Sequence, residues 1–125
     1  MGACLGEANC INKFANLKED LEQKLQLFQS AQQIYVAIDD RYSQSRNLRF
    51  IARTYGFLHN TESAIQSWTA SRDLASSIHY EPSQTSAQRA IDRLSSKQRM
   101  TSQQKVFIGF CIGMTIAFLV WKLRN

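Results

Sequence analysis

Only one proline, Pro82, and five glycines occur among the 125 residues of the chain. Proline and glycine are the residues that most often interrupt helices and form turns, so their scarcity favours long helices. No segment shows the alternation of apolar and polar residues that predicts a half-buried strand. We therefore expect an all-α fold with a long amphipathic N-terminal helix, two or three shorter helices and one C-terminal transmembrane helix.

Residues suited to metal binding and catalysis are also scarce. The three cysteines lack C-x-x-C spacing, and His59 and His79 are too few and too far apart for a zinc site. No P-loop, G-x-S-x-G or H-E-x-x-H string occurs. Asp39 and Asp40 are adjacent, but neighbours on a helix point about 100° apart and cannot share a proton or a metal ion. We expect no catalytic residue, no metal site, no cofactor and no enzymatic activity.

Acidic residues are missing from two stretches of a chain whose formal net charge is +5. From Arg41 to Arg53 every charged side chain is an arginine, and beyond Asp92 every charged side chain is basic. These basic residues do not follow the pattern of a known nucleic-acid reader. Basic residues beside an apolar span suit anionic lipid head groups instead. We expect membrane lipids as partners and no nucleic acid.

One long apolar run is present, and it contains neither a charge nor a proline. It covers Val106–Trp121 and is followed by Lys122 and Arg124. As a helix it would be about 24 Å long, somewhat short of a typical hydrocarbon core of ~30 Å. The flanking lysines can extend their ammonium groups to the membrane surface. The run predicts a transmembrane anchor at residues 105–123, in a thin membrane such as the endoplasmic reticulum or a mitochondrial membrane.

The distribution of charge around this run predicts an orientation. More basic residues precede the run than follow it, so the positive-inside rule places the N-terminal body in the cytosol or in an organelle matrix. Only four residues follow Trp121, so the anchor would still lie in the ribosome when synthesis ends. Insertion would then be post-translational, and we expect a single-pass, tail-anchored protein.

A row of small residues lies along the predicted anchor. These residues are four positions apart and therefore share one helix face: Gly109, Gly113 and Ala117. Helices in lipid associate through close packing, which small side chains permit. We predict that this row packs against another membrane helix, from a partner protein or from a second copy of the chain.

Residues 1–10 have neither the basic nor the apolar region of a secretory signal. They begin with Met-Gly, which partly matches the myristoylation pattern and makes Gly2 the expected acceptor. One myristoyl group binds membranes only marginally, so Cys4 is the expected palmitate acceptor beside it. The alternative is an unmodified N-terminus.

A seven-residue apolar repeat begins in the next segment. Its members are Phe14, Leu21, Phe28, Tyr35 and Tyr42. With the neighbouring apolar residues they predict one amphipathic helix from Ile11 to about Ser43. Polar residues interrupt the adjoining row, so the segment is not a regular coiled coil. The row is a candidate partner-binding helix face, and the alternative is a core helix that packs within the chain.

The rest of the N-terminal body predicts shorter helices. A second helix is expected at Leu48–Leu58, and Asn60 is the expected cap of a third helix that Pro82 ends. The string EPSQTS after that helix is typical of a linker. The predicted organisation is an N-terminal segment (1–10), a cytosolic helical domain (11–80), a linker with a basic juxtamembrane helix (81–104) and the anchor (105–123).

Two short stretches partly resemble the Bcl-2 apoptosis family. LRFIARTYGFLHN is similar to the helical death motif of that family, and GMTIAFLVWK is similar to its tail anchors. The family pattern has a leucine four residues before a Gly-Asp pair. This chain departs from it, because Ala52 stands in place of the leucine before Gly56 and Phe57 stands in place of the aspartate. The resemblance implies an apoptosis-regulator-like, tail-anchored protein.

Taken together, these patterns predict a non-enzymatic, tail-anchored protein that acts as a helical interaction or adaptor module at a membrane. Its partners would be lipids, bound through the C-terminal helix, and proteins or further copies of the chain, bound through the other helices. The sequence leaves open an accessory single-span subunit of a large membrane complex, such as a mitochondrial one. It also leaves open a small acylated viral membrane protein.

Overall fold

The computed structural model describes residues 4–125, which form five α-helices and no strand. The all-α class is therefore confirmed. The chain divides into two compact units, Met1–Leu94 and Ser95–Asn125, and the last helix contributes residues to both. The helices are α1 (Leu5–Asn16), α2 (Leu21–Ala37), α3 (Arg41–Phe57), α4 (Thr61–Ser77) and α5 (Glu81–Arg124).

The prediction of one helix from Ile11 to Ser43 is wrong, because two turns divide this segment. The first turn follows Asn16, and α2 begins after Asp20. The Asp20 carboxylate accepts hydrogen bonds from the backbone N–H groups of Glu22 and Gln23 at 2.9 and 3.1 Å. Aspartate at this position satisfies donors that the first turn of a helix leaves unpaired. In the sequence, Asp20 stands among other charged residues and has the pattern of an exposed helix face.

The turns of the first unit recur every 20 residues, a repeat that was not predicted. Four helices begin at this interval: Leu21, Arg41, Thr61 and Glu81. Three of the turns place a non-glycine residue in the left-handed region, at φ values of 53°, 59° and 57°: Asp39, His59 and His79. Each turn therefore ends the preceding helix and starts the next within three residues.

Hydrogen bonds show that these three turns are Schellman motifs. In each, the residue after the left-handed one donates its N–H to the carbonyl five residues earlier. The bonds are Asp40 N to Tyr35 O at 3.1 Å, Asn60 N to Tyr55 O at 2.9 Å, and Tyr80 N to Ala75 O at 2.8 Å. Glycine usually occupies the left-handed position, so a sequence without glycine there gives little indication of the turn.

The same turns correct the other predicted boundaries. The second helix begins at Arg41 and not at Leu48, because Asp40 caps it through the N–H of Ser43 at 3.0 Å. The predicted cap of the third helix is confirmed, since the Asn60 side chain accepts from the N–H of Ser63. That helix ends at Ser77, and EPSQTS is the start of α5 instead of a linker. Proline is tolerated there because first-turn N–H groups have no partner within the helix.

Valine at position 59 should destabilise the first unit by about 1–2 kcal/mol, because the left-handed region disfavours β-branched residues. His59 is exposed and its φ is 59°, so His59→Val removes little packing and mainly tests the backbone. His59→Asn is the matched control and should change stability by less than about 0.5 kcal/mol, because asparagine tolerates this conformation. Urea unfolding measures both, and equal destabilisation by the two variants would contradict the turn geometry.

Helix α3 is central in the first unit because it contacts α1, α2, α4 and the first turns of α5. The buried side chain of Asn47 accepts from Asn12 Nδ2 on α1 at 2.6 Å and donates to Phe28 O on α2 at 2.8 Å. On the other side, Ser45 Oγ lies 3.2 Å from Ser71 Oγ on α4 and 3.3 Å from Ser83 Oγ on α5. Helix α3 is thus fixed by buried hydrogen bonds on both sides, between α1 and the start of α5.

Candidate functional site

Two adjoining clefts lie along α3, and Arg46 lines both. The first cleft has a volume of about 140 Å³ and the second about 150 Å³. The first is lined by Tyr42, Ser45, Arg46, Arg49, Phe50, Arg53, Tyr80 and Ser83. The second is lined by Asn9, Asn12, Lys13, Tyr35, Ser43, Arg46 and Asn47. We call these two clefts together the arginine groove.

Three of the four positive charges of the groove lie on one face of α3, and the fourth, Lys13, lies on α1. Arg46, Arg49 and Arg53 are three and four positions apart, so they are neighbours on the helix surface. Aromatic rings support two of these side chains. The Arg46 guanidinium lies 6.0 Å from the centre of the Phe50 ring, and that of Arg53 lies 6.0 Å from the Trp68 ring. Such cation–π contacts hold guanidinium groups in place without neutralising their charge.

The lining of the groove contains no acidic side chain, although the Asp40 carboxylate lies beside the second cleft and accepts from Ser43 Oγ at 2.7 Å. Neither cleft is lined by an aspartate or a glutamate. Within residues 4–125 the ion pairs are Arg41–Asp39 at 3.7 Å and Arg72–Asp73 at 3.0 Å, both outside the groove. The Nε of Arg49 is buried and has no hydrogen-bond acceptor. A buried donor without an acceptor costs about 1–3 kcal/mol, so the fold alone does not account for this arginine.

The second cleft adds polar groups to the groove. The hydroxyl of Tyr35 donates to Asn9 Oδ1 at 2.7 Å, and both residues line the cleft. Burial raises the pKa of Tyr35 above its ordinary value, while nearby Arg46 lowers this pKa and Asp40 raises it to lesser degrees. The hydroxyl therefore stays neutral well above physiological pH. The folding free energy that the neutral Tyr35 hydroxyl contributes is complete below the ordinary tyrosine pKa. It is lost as the pH rises through the raised pKa of the folded state.

The five residues of the seven-residue repeat do not form one surface. They lie on three helices: Phe14 on α1, Leu21, Phe28 and Tyr35 on α2, and Tyr42 on α3. Phe28 and Tyr35 are 1% and 3% exposed and pack inside the chain, so the alternative of core packing applies to these two. Leu21 is half-buried, whereas Phe14 and Tyr42 are 50% and 49% exposed. Of the five, Tyr35 and Tyr42 line the groove.

The second unit contains the predicted anchor. Within the described residues, one helix is long and apolar enough to span a membrane, and it is α5. Its most apolar window has a mean hydropathy of 2.1 and none of it is buried. The Thr115 hydroxyl donates to Cys111 O at 2.9 Å, so the polar side chain of the run is satisfied within the helix. By length and composition, α5 is therefore a candidate membrane-spanning helix.

The remaining site predictions stay predictions. A Cβ added at Gly109 or Gly113 would meet no atom within 4 Å, so the row with Ala117 is an open face. Gly2 lies outside the described residues, and Cys4 is exposed and caps α1 by accepting from the N–H of Glu7 at 3.4 Å. No group of three or more His, Cys, Asp or Glu side chains within residues 4–125 could hold a metal ion.

The arginine groove itself was not predicted. The run of arginines without acids is visible in the sequence, and the helical spacing of Arg46, Arg49 and Arg53 indicates that these three share a face. Comparison of the chain with protein-family models, with curated proteins and with solved structures gives no match in any of the three. The chemistry of the groove and of the apolar helix is therefore the basis for a functional proposal.

Proposed function

We propose that this chain is a non-enzymatic interaction protein that holds a partner protein at a membrane. The observation that carries the proposal is the open arginine groove in a chain that also has an exposed apolar helix. The groove offers unpaired charge, hydrogen-bonding groups and aromatic rings in two clefts. A surface with these features suits recognition of another protein, because arginine and tyrosine are enriched where interfaces bind strongly.

The apolar part of α5 is the membrane anchor in this proposal. Five basic residues precede it and two follow it: Arg89, Arg93, Lys97, Arg99 and Lys105, then Lys122 and Arg124. This asymmetry favours an orientation with the helical unit on the cytosolic side. The short apolar run favours a thin membrane, such as the endoplasmic reticulum or a mitochondrial membrane.

Site-specific photo-crosslinking in membranes tests the proposal. A photoreactive phenylalanine analogue is placed at Tyr42 in the groove, at Gln33 on α2 or at Gln66 on α4, all exposed positions. The full-length chain is then irradiated in the membrane where it resides. We expect a discrete protein adduct from Tyr42, because the proposed partner lies in the groove. No protein adduct from any of the three positions, in a chain that is membrane-bound, would contradict the proposed function.

A further inference from the structure

We propose that the arginine groove binds an extended, acidic peptide segment of the partner protein, with Arg46, Arg49 and Arg53 binding its carboxylates. This inference depends on the proposed function and names the chemistry that the partner presents. The charge, the length and the lining of the groove support this assignment.

Charge identifies the kind of group that the groove receives. Three arginines and Lys13 line the two clefts, and no acidic residue lines either. The planar guanidinium group binds a carboxylate through two parallel hydrogen bonds. Arg49 lines the first cleft, and because its Nε is buried, a carboxylate in the cleft would bind the Nη groups of its guanidinium. The aromatic contacts of Arg46 and Arg53 orient these side chains before a ligand arrives.

Shape favours an extended chain as the occupant. Arg46 and Arg53 are seven residues apart on α3, which is about 10 Å along the helix axis. An extended peptide covers that length in about three residues, so acidic residues at alternate positions reach successive arginines. The two clefts meet at Arg46, and each has the volume of a side chain. The groove therefore has room for consecutive side chains of one segment.

The rest of the lining suits a peptide. Tyr42 and Tyr80 pack edge to face, with ring centres 5.5 Å apart, at the side of the first cleft. Exposed Asn9 and half-buried Ser43 provide hydrogen-bonding groups in the second cleft. An apolar residue of the segment can pack on the tyrosines while its backbone binds the polar groups. A single lipid head group would use the arginines and leave much of the second cleft empty.

Peptide selection on the full-length chain tests this inference. The chain is placed in phosphatidylcholine nanodiscs, and a phage-displayed library of random dodecapeptides is the probe. We expect the selected peptides to carry two or more Asp or Glu residues close together. A synthetic copy of one such peptide, labelled with fluorescein, then gives the affinity by fluorescence polarisation, and added NaCl should weaken it. Selection of neutral or basic peptides would overturn the inference.

Charge-reversal variants locate the binding site. Reversing Arg46, Arg49 and Arg53 to Glu should weaken binding of the selected peptide at least about 100-fold, because three charge-assisted contacts become repulsive. The matched control reverses Arg41, Arg89 and Arg93, which are exposed, lie outside the groove and carry the same total charge. The affinity of the control for the peptide should stay within about threefold of the wild-type affinity when both are measured at a salt concentration that screens long-range charge effects. Equal losses in both variants would overturn the inference.

A milder variant keeps the test valid if the charge reversal disturbs folding. Arg49→Gln should weaken binding about tenfold while the helical circular-dichroism signal and the thermal midpoint stay near those of the wild type. Arg49→Lys should recover only part of the affinity, because lysine keeps the charge but not the paired hydrogen bonds. Unchanged affinity in Arg49→Gln would overturn the assigned role of the groove.

Two further outcomes separate this inference from the proposed function. If fluorescent inositol trisphosphate binds the groove and acidic peptides do not, the occupant is a lipid head group and the peptide inference is overturned. If photo-crosslinking captures a partner from Gln33 or Gln66 but not from Tyr42, the proposed function stands and the groove assignment fails. Absence of any captured partner contradicts the proposed function itself.

Discussion

Deletion of Val106–Asn125 should move essentially all of the protein from the membrane fraction to the soluble fraction. Each Leu, Ile, Phe or Val near the centre of a membrane helix favours insertion by about 0.3–0.6 kcal/mol. The apolar run contains nine such residues, all exposed in the structure. Carbonate extraction followed by centrifugation measures the distribution. A truncated protein that still pellets and resists extraction would show that the anchor lies elsewhere in the chain.

A full-length control separates the loss of apolar character from the loss of residues. The double variant Ile112→Lys and Ile116→Lys keeps the length of α5 and places two charges near the middle of the run. Each charge there costs about 2.5–3.5 kcal/mol on insertion scales, so this variant should also leave the membrane. If the double variant stays in the membrane while the truncated protein is released, the segment binds the membrane through something other than its apolar surface.

Replacement of Phe28 by alanine should lower the free energy of unfolding by about 3–5 kcal/mol, a large part of the stability of a small domain. Phe28 is 1% exposed, and its ring stacks on that of Phe50 with centres 5.3 Å apart. Alanine leaves a cavity between α2 and α3 that the buried hydrogen bonds of Asn47 keep from closing. Urea unfolding in detergent, followed by Trp68 fluorescence in a Trp121→Phe background, measures the change.

The matched control is Phe14→Ala, at another position of the same seven-residue repeat. Phe14 is half-exposed, so its truncation should cost less than about 1 kcal/mol. The comparison distinguishes a core position from a surface position within one repeat. Similar losses for Phe14→Ala and Phe28→Ala would contradict the division of this repeat among three helices.

The features predicted correctly are those that local sequence determines. The apolar character of the C-terminal helix follows from a run of consecutive residues, and the cap of α4 follows from Asn60 directly before the helix. Such signals do not depend on how distant parts of the chain pack.

The helix boundaries were missed because the turns lack their usual residues. Asp39, His59 and His79 occupy left-handed positions where glycine is typical. The seven-residue repeat continues through two of the turns, so the apolar pattern looks uninterrupted. The 20-residue repeat was nevertheless visible in the sequence, since apolar residues precede the three left-handed positions: Ile38, Leu58 and Ile78. Comparing the sequence with itself at a fixed interval would have revealed it.

The groove could be predicted only in part. The arginines of α3 share a face because of helical spacing, but the clefts also need residues from α1 and α5. Asn12 is 35 residues from its partner Asn47, and Ser83 is 38 residues from Ser45. These distant pairs set the distances between helices, and no local pattern contains that information. The absence of acidic residues from the lining of the two clefts likewise became informative only once the neighbouring helices were known.

The central claim is that the helical unit holds a protein partner at a membrane, and the location of that partner tests it most directly. The protein captured by crosslinking from Tyr42 is followed by membrane fractionation in cells that express the full-length chain or the chain without Val106–Asn125. We expect the partner to be enriched in the membrane fraction with the full-length chain and to become soluble, still bound, with the truncated one. A partner that distributes identically in both cells would contradict the claim.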